Sequence, residues 1–178
     1  MNVFWSRGYN ATALPDLLEA TKLSRGSLYA AFGDKHGLFL QALDRYIADA
    51  LARMDAELGT AASPMAGLRN FLEGYVARTG GANGRRGCLL VATAMELAGR
   101  DPEVDRRISG FFVATESKIE AALSQAQAAG ELTDGCQPAS AARLLVCFVE
   151  GMRVVGKTAP KRETMQMAVD ALIANLSR

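Results

Sequence analysis

Apolar side chains return at Phe39, Leu43, Tyr46, Ile47, Ala50, Leu51, Met54 and Leu58. That is one face of an α-helix, held over about six turns. A strand buries every second residue and has no use for such spacing. No stretch of the chain alternates convincingly with period two, and only 5 prolines interrupt it. The expected fold class is all-α, with about nine helices and no sheet.

The punctuation agrees. Val3, Phe4 and Trp5 read as the tail of a helix whose start lies outside this sequence. Thr12 is the expected N-cap of a short helix with Pro15 and Asp16 in its first turn. Thr21-Lys22-Leu23 forms a tight connection. Ser24 caps a third helix, Arg25 to Phe32, with Leu28 and Phe32 inward, and Asp34 caps the long fourth one. Ser63-Pro64, Asp101-Pro102 and Pro138 open further helices, and Pro160 precedes the last. Gly80 to Gly84 and Gly130 to Gln137 read as loops. Two short helices joined by a tight turn, then a long helix, have the dimensions of a helix-turn-helix domain feeding a second domain. The expected division is 1–46 and 47–178, with the first helix incomplete.

Composition excludes several classes. The formal charge is +1, so net charge alone coats neither nucleic acid nor membrane. No apolar run is long enough to span a bilayer, and the opening residues lack a signal-peptide pattern. Three cysteines, Cys88, Cys136 and Cys147, are too few and too scattered for a disulfide framework, so a reducing, cytoplasmic location is expected. The single histidine, His36, has no cysteine or acidic cluster beside it in sequence, so neither metal nor cofactor is expected. No GxSxG, HExxH, GxGxxG or phosphate-cradling loop is present, and the chain is not expected to be an enzyme.

The informative stretch lies between Gly8 and Lys35. A helix that enters the major groove needs a small or polar outer face near its N-terminus. Ser24, Arg25, Gly26 and Ser27 provide one. Glycine lets the backbone approach DNA, the serines can donate to phosphate or base edges, and Arg25 can reach phosphate or a guanine edge. Tyr29 and Lys35 offer a hydroxyl and a cation to phosphate, and Thr12 a hydroxyl at a helix start. Taken singly, each is more simply a solvated cap or surface side chain. Together they point to DNA. Residues 1–48 carry Arg7, Lys22, Arg25, Lys35 and Arg45 against Asp16, Glu19, Asp34 and Asp44, so few phosphates are contacted per subunit and a dimer is expected.

With these residues in register, Gly8-Tyr9, Thr12, Leu28-Tyr29, Phe32 and Lys35, residues 8–46 resemble the DNA-binding domain of the TetR/AcrR family of bacterial transcriptional regulators. The second half is similar in helix count and length to that family's ligand-binding and dimerisation domain. Gly87-Cys88-Leu89 and Asp101-Pro102-Glu103-Val104 are shared with a subgroup. The family usually has a basic arm and a full first helix, of which only the end is present here. It often has His, Tyr or Asn where this chain has Ala30-Ala31, so base readout leans on Arg25, Ser27 and the backbone near Gly26. The resemblance implies a repressor on a palindromic double-stranded operator, released by a small molecule.

Phe71, Tyr75, Met95, Phe112, Phe148 and Met152 are candidates to line the effector pocket, with Tyr75 supplying a hydroxyl to a small, mostly apolar ligand. Ordinary core packing is the plainer explanation of each of them. Cys88 follows Arg85-Arg86-Gly87 at a helix start, a setting that favours thiolate, and is a candidate redox or electrophile sensor; a simply packed cysteine is the plainer explanation. Cys136 and Cys147 look inert. The last two helices are apolar at 144, 145, 148, 149, 152, 155, 165, 169, 172, 173 and 176, which suggests a homodimer through a four-helix bundle. The alternative is a helical small-molecule-binding protein that has lost its DNA contact.

Overall fold

The computed structural model describes residues 1–59 and 61–178, without the side chains of residues 81–83. Ten helices follow one another among these residues: α1 Asn2–Arg7, α2 Leu14–Thr21, α3 Arg25–Phe32, α4 Lys35–Gly59, α5 Pro64–Thr79, α6 Gly81–Arg86, α7 Leu89–Leu97, α8 Pro102–Ala128, α9 Pro138–Gly156 and α10 Arg162–Leu176. There is no strand among them, only an isolated bridge between Leu132 and Ser177. Helix α6 corrects the expected loop at 80–84. A glycine-rich run reads as a loop locally, yet Gly84 is buried, and a Cβ there would fall 1.9 Å from the Thr79 carbonyl oxygen. Close packing is what the missing side chain permits.

Most helix starts follow the caps read from sequence. The Ser27 N–H donates to Ser24 Oγ at 3.1 Å, and the Gly37 N–H to Asp34 Oδ1 at 2.7 Å. The Ala66 N–H donates to Ser63 Oγ at 3.3 Å, while Asp101 Oδ1 accepts from Glu103 and Val104 at 3.0 and 3.2 Å.

The chain forms two compact units, and the division differs from the one expected. The first comprises residues 1–49 together with 88–109, and the second residues 50–87 and 110–178. Helices α4 and α8 each contribute to both. Residues 88–109 join the first unit because their partners are there: Glu96, Asp101 and Arg107 all bond to residues of α1 to α4 or the turns between them.

In the second unit α5 is central and packs against α9 and α10. Its core gathers Leu68, Leu72 and Val76 of α5, Ile119 and Leu123 of α8, and Leu145, Val149, Val169 and Ile173 of α9 and α10. The segment after α8 is tied to the end of α10: the Thr133 N–H donates to the Leu176 carbonyl at 2.8 Å.

Candidate nucleic-acid interface and effector cavity

The α2–α3 hairpin is built on a few anchors. Leu17 and Leu28 are buried and hold the two helices down. Between them Lys22 takes a left-handed conformation, φ 59°, and its N–H donates to the Leu18 carbonyl at 2.9 Å. That single left-handed residue reverses the chain so that Ser24 can start α3. Every residue from Thr21 to Ser27 is exposed. Ser24, Arg25, Gly26 and Ser27 therefore stand at the free N-terminal end of a helix whose inner face is fixed by Leu28. The Ser24 and Ser27 hydroxyls are 2.9 Å apart and hold each other. Tyr29 lies on the same helix, 40% exposed.

An aromatic cluster braces this head. Phe4 meets Phe39 edge-on at 5.1 Å, and Tyr9 packs on Phe39 at 4.8 Å. Lys35 lies over the Tyr9 ring, 4.4 Å from its centroid. The expected phosphate cation is thus only half-exposed and already faces a ring.

Thr12 is a clearer correction. Ala13, not Thr12, is the N-cap of α2, and Thr12 is buried. Its hydroxyl donates to the Gly8 carbonyl at 2.6 Å. It closes the turn between α1 and α2 from inside and has no face for phosphate. The next N–H, that of Ala13, is held by Asp16 at 2.9 Å.

The same turn shows what sequence spacing missed. Glu96 Oε2 accepts from the Tyr9 N–H at 2.8 Å and Oε1 from the Asn10 N–H at 2.7 Å. Gly8 has φ +80°, and a Cβ there would sit 2.7 Å from Glu96 Oε2. Only glycine gives both the turn and the room for the carboxylate. His36 Nε2 meets Asp101 Oδ2 at 2.6 Å, and Arg107 Nε donates to Asp44 Oδ1 at 2.8 Å. Burial works against the charge on Asp101, but the His36 bond and the Val104 and Glu103 N–H groups outweigh it and hold its pKa low.

Family models cover both parts of the chain. Residues 1–42 match the bacterial regulatory proteins, tetR family, and residues 64–172 match the tetracyclin repressor-like C-terminal domain. The chain belongs to the TetR family. It is 29% identical over 170 residues to the HTH-type transcriptional repressor ComR of Escherichia coli (strain K12), covering 94% of this chain and 81% of ComR. A solved structure of a cysteine mutant of the TetR-family regulator CifR, complexed with 26-bp double-strand operator DNA, is 30% identical. It matches 98% of this chain and 91% of CifR with a TM-score of 0.83. E. coli NemR in its reduced form shares the fold, with a TM-score of 0.88 at 18% identity over 98% of this chain and 91% of NemR. The protein is a TetR-family transcriptional regulator, all-α, with an N-terminal helix-turn-helix and a helical C-terminal domain. Among the described residues no helix is long and apolar enough to cross a membrane.

Of the expected effector-pocket residues of this TetR-family chain, Phe71, Tyr75 and Met152 share one core with Phe148 packed against it, but the set does not line one cavity. Phe71 and Tyr75 line a cavity of about 20 Å³ in the second unit. Phe111 lines it rather than the neighbouring Phe112. Phe148 and Met152 instead line an open groove on α9 and α10. Met95 is 85% exposed and belongs to the first unit. The cavity is also not mostly apolar: Arg53, Glu57, Arg78, Thr115 and Arg153 share its wall. Sequence reading counts such arginines as surface, because nothing local shows that three helices aim them at one point.

Of the cysteines, Cys88 is buried, its Sγ 3.3 Å from the Tyr46 hydroxyl, while Cys147 is exposed on α9.

Proposed function

We propose that this regulator is a cytoplasmic repressor that binds a palindromic operator as a homodimer and lets go when a small molecule occupies the second unit. One observation carries the DNA half: a small, polar N-terminal face, Ser24 to Ser27, exposed on a helix anchored by the fully buried Leu28. Arg25, Ser27 and the backbone near Gly26 read bases there, while Tyr29 meets phosphate.

The dimer is supported by apolar surface that the unit leaves uncovered. Leu145, Val149, Met152, Met165, Val169 and Ile173 are buried within the unit. Leu144, Val154, Val155 and Met167 are 50 to 71% exposed, and Cys147 and Gly151 are exposed beside them. A symmetry mate covers this stripe through an isologous contact. A small molecule that binds one head spacing better than another shifts the population; equal affinity shifts nothing.

A second release route through Cys88 requires local opening, because its thiol is buried against Tyr46. An electrophile that alkylates its thiol adds bulk against Tyr46, whose ring meets Trp5 at 5.0 Å, edge-on. Trp5 is the only tryptophan and reports that displacement by fluorescence.

Sedimentation of the protein with a fluorescent duplex carrying its own upstream region tests the main reading. A dimer bound at one palindrome supports it. A monomer at micromolar protein, or binding that ignores sequence, overturns it.

A further inference from the structure

The cavity beside Tyr75 is charged in a way that packing does not explain. Arg53 of α4, Arg78 of α5 and Arg153 of α9 reach it from three helices, against the single lining carboxylate of Glu57. Arg78 pairs with Glu57, its Nη2 donating to Oε2 at 3.2 Å. The guanidinium groups of Arg78 and Arg153 lie 4.8 and 4.6 Å from the Tyr75 ring centroid. Arg53 is exposed and Arg78 already has Glu57, so the positive edge that faces the cavity is that of the Arg78 and Arg153 guanidinium groups beside Tyr75.

Thr115 gives the second, independent sign. It is 1% exposed, lines this cavity, and its Oγ1 has no hydrogen-bond partner among the described residues. Arg78 Nε is buried and without a partner in the same place. A buried hydroxyl or N–H left unmade is uncommon and costs stability unless something completes it. One turn before Arg153 on α9, Glu150 Oε2 is likewise buried without a partner. Burial raises the Glu150 pKa, with Arg153 pulling the other way, so this acid offsets Arg153 less than a surface carboxylate does.

The remaining wall is Ala50, Met54, Phe71 and Phe111. The lining therefore offers donors and positive charge together with apolar surface. At about 20 Å³ it admits one water-sized group without movement. Anything longer must part the walls, which ties occupancy to a change of shape.

We propose that this cavity is the effector site and that it takes a short-chain monocarboxylate, the carboxylate against Thr115 Oγ1 and the arginines and the alkyl end against Phe71 and Phe111. The proposal rests on the effector-release reading above. Guanidinium groups match carboxylates in shape as well as charge.

Calorimetric titration of the full chain at constant ionic strength tests it, with propionate as probe and propionamide, 1-propanol and inorganic phosphate as controls. Propionate binds, and propionamide binds at least tenfold more weakly. Thr115→Val weakens propionate tenfold or more with a melting temperature that holds or rises, because the unpartnered hydroxyl is gone, and Thr115→Ser restores binding. Arg153→Met gives a second loss. Propionamide or phosphate binding as well as propionate overturns the proposal, as does silence up to roughly 50 mM propionate. Operator binding is measured on the same preparation. Propionate bound with operator affinity unchanged upholds the site and overturns release; operator binding that survives while propionate fails to bind overturns the site alone.

Discussion

Glu96 holds the backbone of Tyr9 across 87 residues of sequence: its carboxylate accepts the Tyr9 N–H at 2.8 Å and the neighbouring Asn10 N–H at 2.7 Å. The turn that sets α2 and α3 is thereby fixed by α7, a helix from the middle of the chain. Hydrogen bonds to a charged acceptor contribute about 1.5 to 3 kcal/mol each when shielded, and less where solvent reaches them as it does at Asn10. Glu96→Ala is expected to lower unfolding free energy by about 1 to 3 kcal/mol in urea. Operator affinity falls with it, because the turn that presents α3 loosens.

Arg25 and Lys35 separate by salt. Arg25→Ala is expected to weaken operator binding, to relax specificity at the base it reads and to reduce the slope of log affinity against log salt by at most about 1 per subunit. Lys35 covers the Tyr9 ring. Lys35→Ala is therefore expected to cost about 0.5 to 1 kcal/mol of stability and leave the salt slope nearly unchanged. Binding at several salt concentrations, alongside melts of both variants, checks the pair.

The helical scaffold was legible because its signals are local. Caps at Ser24, Asp34, Ser63 and Asp101 sit within three residues of the N–H groups they accept from. The exposed set from Ser24 to Ser27 was legible for the same reason. Thr12 was misread because the capping position moved one residue to Ala13, and a threonine at a helix start looks alike whether its hydroxyl faces solvent or the Gly8 carbonyl. The Glu96 and Asp101 contacts were invisible, since nothing local pairs residues 65 to 87 positions apart. The cavity failed on the same ground: Arg78, Thr115 and Arg153 belong to three helices, and each alone reads as surface or core.

Glu150 predicts a pH dependence of definite sign. Its pKa is raised from the ordinary 4.5 by burial, so the folded chain holds that proton more tightly than the unfolded chain. Its contribution to stability is intact below about pH 4.5 and is lost as pH rises through the folded value. Glu150→Gln removes this loss. The variant is expected to melt higher than the parent near neutral pH and to converge with it toward pH 4, in paired thermal scans.

Leu144, 58% exposed, tests the association face without touching the core. Leu144→Glu places a charge on the stripe shared with Cys147 and Val155. It is expected to turn the proposed dimer into a folded monomer in sedimentation runs, with the melt of the isolated chain little changed and operator affinity reduced at least tenfold. A dimer unaffected by the charge moves the interface elsewhere.

The central claim is that α3 reads a specific sequence. Selection of genomic fragments by the purified protein at ~0.1 M salt, where specific binding outlasts non-specific binding, tests it most directly. Wild-type protein is predicted to enrich fragments sharing one palindrome with half-sites about one or more helical turns apart, and Arg25→Ala to lose that enrichment. Fragments enriched without a common sequence, or equally by both proteins, would contradict it.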